Sequence, residues 1–348
     1  MALVRTVGRR EVLAALASAA IAERAGANPI PDALKTPHKL GRFVIPPGPA
    51  GEFDAKGADV PFAFRHEGRF WMTYVGFDGT GYQTGLASSP DLLEWKREGM
   101  ILKRDPSSEI TRYNVALSWI LRENGLFSPG RLRKVQGRYV GVYHAYPKPG
   151  YEVGPAVIGL CWTKNLRDWQ LDRPFLRAED GAEWERGGLY KACLLEHNGL
   201  YYMLYNAKNQ ARRWKEQTGV VMSKDLKQWQ RFEGNPILRN GGPGAPDEIF
   251  ASDPCVLRHR NQWLIFYFGL DTRGVARDLL AVSPDLKSTE KCDAPLIDVG
   301  APGSIDSQYA HKPSMIAHRG RLYHFYCAVS KDQGRGISVA CSHPFRGS

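Results

Sequence analysis

A short phrase recurs along this chain and limits the folds open to it more than any other feature. It reads SSPDLLEW at 88–95, TKNLRDW at 163–169 and SKDLKQW at 223–229, and SPDLKST at 283–289 is a copy without the tryptophan. A second phrase lies roughly thirty residues upstream of each copy. This spacing is close to the length of one repeat in proteins whose repeats are arranged around a central axis. A turn needs no tryptophan, so the recurrence indicates that the fold itself repeats.

The upstream phrase has five copies, each containing two runs of alternating apolar residues around a tight turn. They are ADVPFAFRHEGRFWMTYVG (58–76), SPGRLRKVQGRYVGVYHAY (128–146), YKACLLEHNGLYYMLYNAK (190–208), SDPCVLRHRNQWLIFYFG (252–269) and HKPSMIAHRGRLYHFYCAV (311–329). Each copy predicts a strand, a turn with Gly or Asn and a second strand. A third strand follows, and the tryptophan phrase leads into a fourth. The sequence therefore predicts an all-β fold, a five-bladed β-propeller with four-stranded antiparallel blades.

The two ends of the repeat region predict how the ring closes. The last blade has no outer strand after Pro344, whereas HKLGRFVIPP (38–47) is a fourth strand without a first. We expect this N-terminal strand to complete the last blade, and the tryptophans to pack between adjacent blades. Residues 28–348 are predicted to form a single domain.

The first 27 residues have the features of an export signal. Arg9-Arg10 precedes a short alanine-rich apolar run, and small residues follow it. This pattern is typical of a twin-arginine signal, because the run is too short to cross a bilayer. An amphipathic N-terminal helix on a cytoplasmic protein is the alternative. Export predicts a periplasmic or extracellular protein.

Composition and charge limit the classes of molecule that this protein is expected to bind. The 348 residues carry 47 Lys and Arg against 36 Asp and Glu, a net charge of +11 that favours anionic partners. The basic residues are scattered and match no nucleic-acid module, and no later segment could span a membrane. Six cysteines lack CxxC spacing, which argues against a zinc ribbon and favours buried free thiols. The sequence leaves the oligomeric state open.

Polar residues at the start of each first strand are the candidate site. In a propeller the first strands line the central channel, and the loops that enter them converge at one mouth. Burying charged groups there is costly unless they pair with opposite charges or take part in binding or catalysis. The candidates are Glu52, Asp54 and Asp59 in blade one; Ser128 and Arg131 in blade two; Glu183, Glu185, Tyr190 and Lys191 in blade three; Asp247, Glu248 and Asp253 in blade four; and Asp306, Tyr309, His311 and Lys312 in blade five.

With these phrases the chain resembles the five-bladed propeller glycosidases, a group that includes glycoside hydrolase families 43, 32, 62, 117 and 130. The matching residues are Asp253-Pro-Cys-Val, Gly199-Leu-Tyr-Tyr-Met-Leu-Tyr205 and Ser223-Lys-Asp-Leu-Lys-Gln-Trp229. The resemblance covers nearly everything after residue 38. It implies two carboxyl groups flanking a glycosidic bond, one donating a proton and one acting as base or nucleophile.

The resemblance assigns the base or nucleophile to Asp59, in Ala-Asp-Val-Pro. It leaves the acid open, because Ser128-Pro-Gly130 and Tyr190-Lys191 stand where family 43 carries acidic residues. Glu185, Glu248 and Asp253 are the substitutes. Asp247 and Asp253 lie close to Glu248 in the sequence, and crowding of like charges raises the pKa of one such carboxyl group toward the range in which a general acid works.

The remaining candidates would bind substrate. Lys191, His311 and Lys312 suit a carboxylate or sulfate on a sugar, or an attacking phosphate, and would otherwise pair with Asp59, Asp253 or Asp306. Asp306 and Tyr190 lie at the same mouth, and Trp119 is a candidate platform for sugar stacking. No ligand spacing demands a metal or cofactor, although a structural calcium in the channel is compatible with these acids.

The function expected from the sequence is hydrolysis of a glycosidic bond by an exported enzyme. The carbohydrate substrate is a polysaccharide or oligosaccharide, and an acidic or a furanosidic sugar is the candidate unit. Two alternatives stay open: a propeller that binds glycans without cleaving them, and a glycoside phosphorylase if the protein is intracellular.

Overall fold

The computed structural model describes residues 30–34 and 38–345, and these form an all-β fold. The expected export signal at residues 1–27 lies outside the described residues. Within them, the helical segments are two 3₁₀ turns, at Asp32–Leu34 and Glu183–Glu185. No helix in this part of the chain is long and apolar enough to cross a membrane. The all-β class predicted from the sequence is confirmed.

Strands follow one another through the whole described region. In chain order they are β1 (His38–Lys39), β2 (Gly57–His66), β3 (Arg69–Phe77), β4 (Tyr82–Ser89), β5 (Lys96–Leu102), β6 (Ala116–Ile120), β7 (Lys134–Val135), β8 (Arg138–Ala145), β9 (Val157–Thr163), β10 (Gln170–Leu171), β11 (Gly188–His197), β12 (Leu200–Lys208), β13 (Glu216–Ser223), β14 (Gln230–Arg231), β15 (Phe250–His259), β16 (Gln262–Leu270), β17 (Ala276–Ser283), β18 (Glu290–Lys291), β19 (Tyr309–His318), β20 (Arg321–Ser330) and β21 (Gly334–Cys341).

The strands pair in antiparallel ladders that follow chain order. The ladder β2-β3-β4-β5 is one sheet, and β6-β8-β9-β10, with β7 attached to β8, is a second. A 12-stranded sheet contains the ladders β11 to β14, β15 to β18 and β19 to β21, joined by short parallel pairs between β13 and β15 and between β17 and β19. At its end β1 pairs with β21, His38 opposite Cys341. The N-terminal strand therefore completes the last ladder, as the sequence predicted.

The first strands of the five ladders contact one another in a closed cycle. β2 contacts β6, β6 contacts β11, β11 contacts β15, β15 contacts β19, and β19 contacts β2. These strands are almost entirely buried, and the largest hydrophobic cluster includes residues of all five. Residues at their starts are thereby brought together, although they are far apart along the chain.

The recurring tryptophan phrase is a turn held by its own side chains. Ser223 Oγ accepts a hydrogen bond from the amide of Leu226 at 2.9 Å, and Asp225 Oδ1 accepts from Lys227 N at 2.9 Å. Such local bonds to backbone amides are what favour Ser and Asp in turns. Trp229 then stacks on Phe175 of the preceding ladder, with ring centroids 5.0 Å apart. Packing between ladders, the role predicted for this tryptophan, is confirmed.

The second ladder differs from the sequence expectation. Its first strand is β6, not a strand beginning at Ser128, because a long excursion at 121–137 separates β6 from β8 and hides the repeat period. Trp119 consequently lies within β6 and is 3% exposed. Its ring packs against Phe62 at 4.6 Å between centroids. Trp119 is thus a core residue and presents no face to a sugar.

Candidate active site

Each first strand has an irregularity where it enters the centre of the molecule. The strand register shifts at Asp59/Phe62, Leu117/Trp119, Tyr190/Ala192, Ser252/Cys255 and His311/Ser314. In three strands a residue before proline has a left-handed backbone: Val60 (φ 49°), Asp253 (φ 58°) and Lys312 (φ 66°). This conformation is costly for a residue with a side chain, and bulges commonly re-aim side chains beside active sites. The distortions identify the strand starts as a candidate site.

A cavity of about 170 Å³ lies at these strand starts. Its lining combines aromatic and charged side chains from several ladders. They are Tyr82, Tyr151, Glu152, Glu216, Phe250, Asp253, Phe268, Leu270, Ala276, Tyr309, His311, Lys312 and Arg335. Asp253, His311 and Lys312 were predicted from the sequence and are brought together here. The structure adds two carboxyl groups, those of Glu152 and Glu216, and the guanidinium of Arg335.

Asp59 lies directly behind this lining and is 1% exposed. Its Oδ2 accepts hydrogen bonds from Lys312 Nζ at 3.0 Å and Arg335 Nη1 at 2.7 Å, while Oδ1 accepts from the amide of Val60 at 2.8 Å. Burial by itself would raise the pKa of Asp59. The charges of Lys312 and Arg335 outweigh burial and hold the pKa well below its usual value of 3.8. Asp59 is therefore an ionised anchor for two cations.

Asp253 and Lys191 form a second buried pair, with Lys191 Nζ 3.6 Å from Asp253 Oδ2. Both residues are 3% exposed, and Lys191 Nζ has no hydrogen-bond partner among the described residues. Burial raises the pKa of Asp253, although the charges of Lys191 and Lys312 oppose the increase. An ammonium group with free hydrogen-bonding capacity is suited to a polar ligand.

Glu216, the first residue of β13, is a buried carboxyl group, 1% exposed. Ser252 Oγ donates to its Oε2 at 2.7 Å, and Trp214 Nε1 donates to its Oε1 at 2.9 Å. Burial raises the pKa of Glu216 to about 7, and the nearby charge of Glu152 contributes to the increase. At neutral pH much of this group is protonated, which is the condition a general acid requires.

Glu152 faces the same cavity from the loop between β8 and β9, and its side chain is 27% exposed. Its backbone is left-handed (φ 51°), between Gly150 and Gly154. Lys208 Nζ donates to the Glu152 carbonyl at 2.6 Å, and Lys312 Nζ lies 3.8 Å from Glu152 Oε1. The loop is thus anchored with its carboxylate on the lining of the cavity that Glu216 also lines.

His311 is neutral in this setting. It is 4% exposed, and its Nδ1 lies 3.0 Å from the Cys327 carbonyl. Burial, together with the charges of Lys312 and Arg335, lowers the pKa of His311 well below 6.5. Asp59, His311 and Cys327 offer ligand atoms within 4.8 Å of one another. The cluster does not suit a metal ion, because the Asp59 oxygen is already bonded to two cations that would repel it.

Glu185 and Asp306, predicted site acids, lie instead in clusters that recur in four ladders. Each cluster joins an acid to a tyrosine twenty residues later, and to a cation from the fourth strand. The members are Asp54 with Tyr74 and Arg97, Glu185 with Tyr205 and Arg231, Asp247 with Tyr267 and Lys291, and Asp306 with Tyr326 and Lys39. A group repeated in ladder after ladder clamps the outer strand to the inner ones. These acids do not line the described cavity.

Two more predicted residues, Glu248 and Tyr190, are not on the lining of this cavity. Glu248 accepts a hydrogen bond from Gly244 N at 2.8 Å within its own loop. Tyr190 is 2% exposed and packs with Tyr146, at 5.5 Å between ring centroids. Its electrostatic neighbours include Glu216.

Glu152, Glu216 and Arg335 were not predicted from the sequence, because they lie outside the starts of the first strands. Glu152 lies between second and third strands, while Glu216 and Arg335 open third strands. The available signals were Gly150-Tyr-Glu-Val-Gly154, an acid in a glycine-flanked loop, and Trp214-Lys-Glu216, an acid beside an exposed aromatic. Neither belongs to the repeated phrases.

Comparisons with known proteins agree with the fold described above. The family model described as "Glycosyl hydrolases family 32 N-terminal domain" matches residues 123–298. A solved structure of a complex between BT0996 and RGII is 28% identical with a TM-score of 0.79, over 91% of this protein and 94% of that one. Another, described as "Glycoside hydrolase", is 27% identical with a TM-score of 0.78, over 99% and 97% of the two proteins. The resemblance to propeller glycosidases is confirmed.

A curated relative is more distant. It is a 1,2-beta-oligomannan phosphorylase of Thermoanaerobacter sp. (strain X514), 22% identical over 161 residues, or 45% of this chain. The match spans 44% of that relative's length.

Proposed function

The chain belongs to the family of the glycosyl hydrolases family 32 N-terminal domain, and on that premise we propose that it hydrolyses glycosidic bonds with Glu216 as general acid and Glu152 as the second carboxylate. The observation that carries the proposal is the pairing of unlike carboxyl groups in one cavity. Glu216 is buried with a pKa of about 7, while Glu152 is partly exposed and lies 3.8 Å from a lysine. Two carboxyl groups in different environments are how glycosidases divide acid and base roles.

The residues around Glu216 equip it to move a proton. Ser252 and Trp214 hold its two oxygens, so that the carboxyl group keeps one orientation in the cavity. As the bond between the anomeric carbon and the leaving oxygen breaks, Glu216 gives its proton to that oxygen and becomes a carboxylate. Glu152 supplies the opposing negative charge, either by taking a proton from the attacking water or by bonding to the anomeric carbon before water displaces it.

Acidity at Glu216 predicts a specific pH dependence. The acid must be protonated, so kcat/KM is expected to fall as pH rises through about 7, the pKa of Glu216. The dependence of kcat/KM on pH, measured with an aryl glycoside that has a poor leaving group, would show this decrease. A decrease that begins only above pH 9 would contradict the assignment of Glu216 as general acid.

A substrate screen with matched variants tests the whole proposal. Wild type, Glu216→Gln and the surface control Glu94→Gln, whose side chain is 71% exposed, would be assayed on aryl glycosides and polysaccharides. Glu216→Gln is expected to lose roughly 10²- to 10⁴-fold on natural linkages. It should lose far less on dinitrophenyl glycosides, which need no acid. No turnover by wild type on any substrate would support the binding-module alternative.

Asp59, the nucleophile or base implied by the sequence resemblance, takes a positioning role in this proposal. Both of its oxygens are engaged, and it holds Lys312 next to Glu152. Azide distinguishes the two assignments, because a small anion restores turnover only where the missing carboxylate faced the anomeric carbon. Rescue of Glu152→Ala and not of Asp59→Ala is expected. Rescue of Asp59→Ala alone would return the catalytic role to Asp59.

A phosphorylase is the second candidate, favoured by the similarity to an oligomannan phosphorylase. Such an enzyme replaces the attacking water with inorganic phosphate and releases a sugar phosphate. We expect turnover in phosphate-free buffer at an unchanged rate. A rate that depends on added phosphate would favour phosphorolysis.

The finer architecture belongs to the same proposal: the five antiparallel ladders are blades of one propeller. The closed cycle of contacts between first strands supports a ring, and so does the pairing of β1 with β21. Deletion of residues before 45 would remove that pairing and is expected to lower the midpoint of urea unfolding. An unchanged midpoint would argue against closure by this strand.

Export also remains a proposal, resting on Arg9-Arg10 and the short apolar run after them. A reporter fused to residues 1–27 is expected to reach the periplasm of a bacterial host. The paired change of Arg9 and Arg10 to Lys should abolish this export. Retention of the unchanged fusion in the cytoplasm would contradict the proposal.

A further inference from the structure

One end of the space enclosed by the first strands is closed by Arg122. The side chain is 2% exposed, and Glu123 is the acidic residue among its electrostatic neighbours. Its guanidinium donates to the carbonyls of Ala63 and Met315, and lies 5.2 Å from the ring centroids of Phe62 and Trp119. Cys193 and Cys255 are also electrostatic neighbours. The groups around Arg122 thus come from all five first strands: β2, β6, β11, β15 and β19.

This closure makes the active-site cavity a pocket with one entrance. A buried cation held by carbonyl groups and aromatic faces fills the centre of the strands, so no glycan chain can pass through the molecule along that line. The catalytic carboxyl groups lie at the strand starts, in the cavity of about 170 Å³. This volume is small beside the roughly 300–1,000 Å³ of typical ligand pockets and suits one sugar unit better than several.

The charges around the pocket balance one another. Lys191 pairs with Asp253, and both Lys312 and Arg335 bond to Asp59, with Glu152 as the remaining carboxylate near Lys312. Lys208, bonded to the Glu152 carbonyl, is a fourth cation, and Glu216 is a fourth carboxyl group, so the pocket has four of each. An acidic sugar would bring a further negative charge next to Glu152 and Glu216. Each of the four cations already has an ion pair or a hydrogen bond, so burying such a charge is costly.

The entrance is flanked by aromatic rings. Tyr151 is 44% exposed and stacks on Phe77 with ring centroids 3.7 Å apart. Trp214 is 36% exposed and stacks on Phe250 at 6.4 Å. Exposed aromatic faces suit the apolar faces of sugar rings. They provide room for the next sugar of a chain outside the pocket.

From these features we infer that the pocket takes one uncharged sugar unit from the end of a glycan, so that the enzyme releases neutral monosaccharides one at a time. The inference rests on the proposed hydrolysis and adds the substrate class and the mode of attack. It differs from the anionic sugar expected from the sequence, which was based on the net charge of the whole chain. The charge of the bound sugar is inferred here from the charged groups of the pocket.

Product analysis on the full chain tests the inference. Aryl glycosides of neutral pentoses and hexoses would be compared with the matching uronic acid glycosides, and the polysaccharide of the best sugar would then be digested. We expect kcat/KM at least 10²-fold higher on a neutral glycoside. We also expect a monosaccharide as the product from the earliest time points, with the viscosity of the polymer unchanged.

The contrary outcomes separate this inference from the proposed function. Preference for a uronic acid glycoside, or early oligosaccharides with a rapid fall in viscosity, would overturn the inference while hydrolysis itself stands. Failure of every glycoside and polysaccharide to react would instead refute the proposed function, and the inference with it.

Discussion

Replacement of Glu216 by Gln removes a carboxyl group whose pKa is raised from 4.5 to about 7 by burial and by the charge of Glu152. The folded state therefore binds this proton more tightly than the unfolded state. The resulting stabilisation is complete below pH 4.5 and is lost as pH rises through about 7. Since each tenfold change in proton affinity is worth about 1.4 kcal/mol, the lost contribution is about 3 kcal/mol.

The Gln side chain escapes this penalty because it carries no charge at any pH. Its oxygen can accept from Trp214 Nε1, while its amide donates to Ser252 Oγ, which at present donates to Glu216 at 2.7 Å. We therefore expect Glu216→Gln to gain about 3 kcal/mol over wild type between pH 4 and pH 8. The gain should accompany the loss of activity.

Urea unfolding of both proteins at pH 4, 6 and 8 measures the difference. Glu94→Gln is the matched control, since it removes an exposed carboxylate and should change stability by less than about 0.5 kcal/mol at each pH. If the free energies of unfolding of wild type and Glu216→Gln run parallel from pH 4 to pH 8, burial does not raise the pKa of Glu216. The assignment of this residue as general acid would then lose its physical basis.

Three further predictions concern the anchors of the site and of the ring. Asp59→Asn removes the carboxylate that binds Lys312 and Arg335, and it is expected to lower the free energy of unfolding by about 3 kcal/mol at pH 7, measured with urea. Because the pKa of Asp59 is held well below 3.8, this loss of stability should shrink as pH falls below 3.8. A loss that is the same at every pH would contradict the prediction. Lys208→Met removes the bond to the Glu152 carbonyl and should lower kcat about tenfold with little change in KM, whereas Lys208→Arg should restore part of kcat; a change in KM alone would show that the loop is not positioned by this lysine. Lys39→Met removes the ion pair with Asp306 at 2.7 Å and should lower stability by about 1 kcal/mol without affecting kcat, and an unchanged unfolding midpoint would refute the clamp.

Much of the fold could be predicted because it depends on interactions between residues that are close together in the sequence. The turn at 223–229 depends on bonds within seven residues, and the strands on either side alternate in the way that antiparallel pairing requires. The pairing of β1 with β21 was also predictable, because a strand without a partner at one end of the chain matched a missing strand at the other. The second ladder was misplaced where the excursion at 121–137 broke the period.

The site was predictable only where it coincided with the repeat. Asp59, Asp253, His311 and Lys312 stand in the repeated first strands, and the structure brings them together. Asp306 stands in an equivalent place, yet it bonds to Tyr326 at 3.0 Å and to Lys39. From the sequence alone both kinds of acid look the same, because the tyrosine and the cation that engage a structural acid belong to other strands.

A repeated set of antiparallel sheets with acids at the entrances to their inner strands can be read from the sequence, because strand alternation, turn chemistry and repeat period are properties of neighbouring residues. The chemical differences between the carboxyl groups arise in the folded protein. Glu216 has a raised pKa because β13 lies beside β15 and places it under Trp214, away from water and near the charge of Glu152. Burial and the distances between charges depend on segments that meet only when the chain is folded.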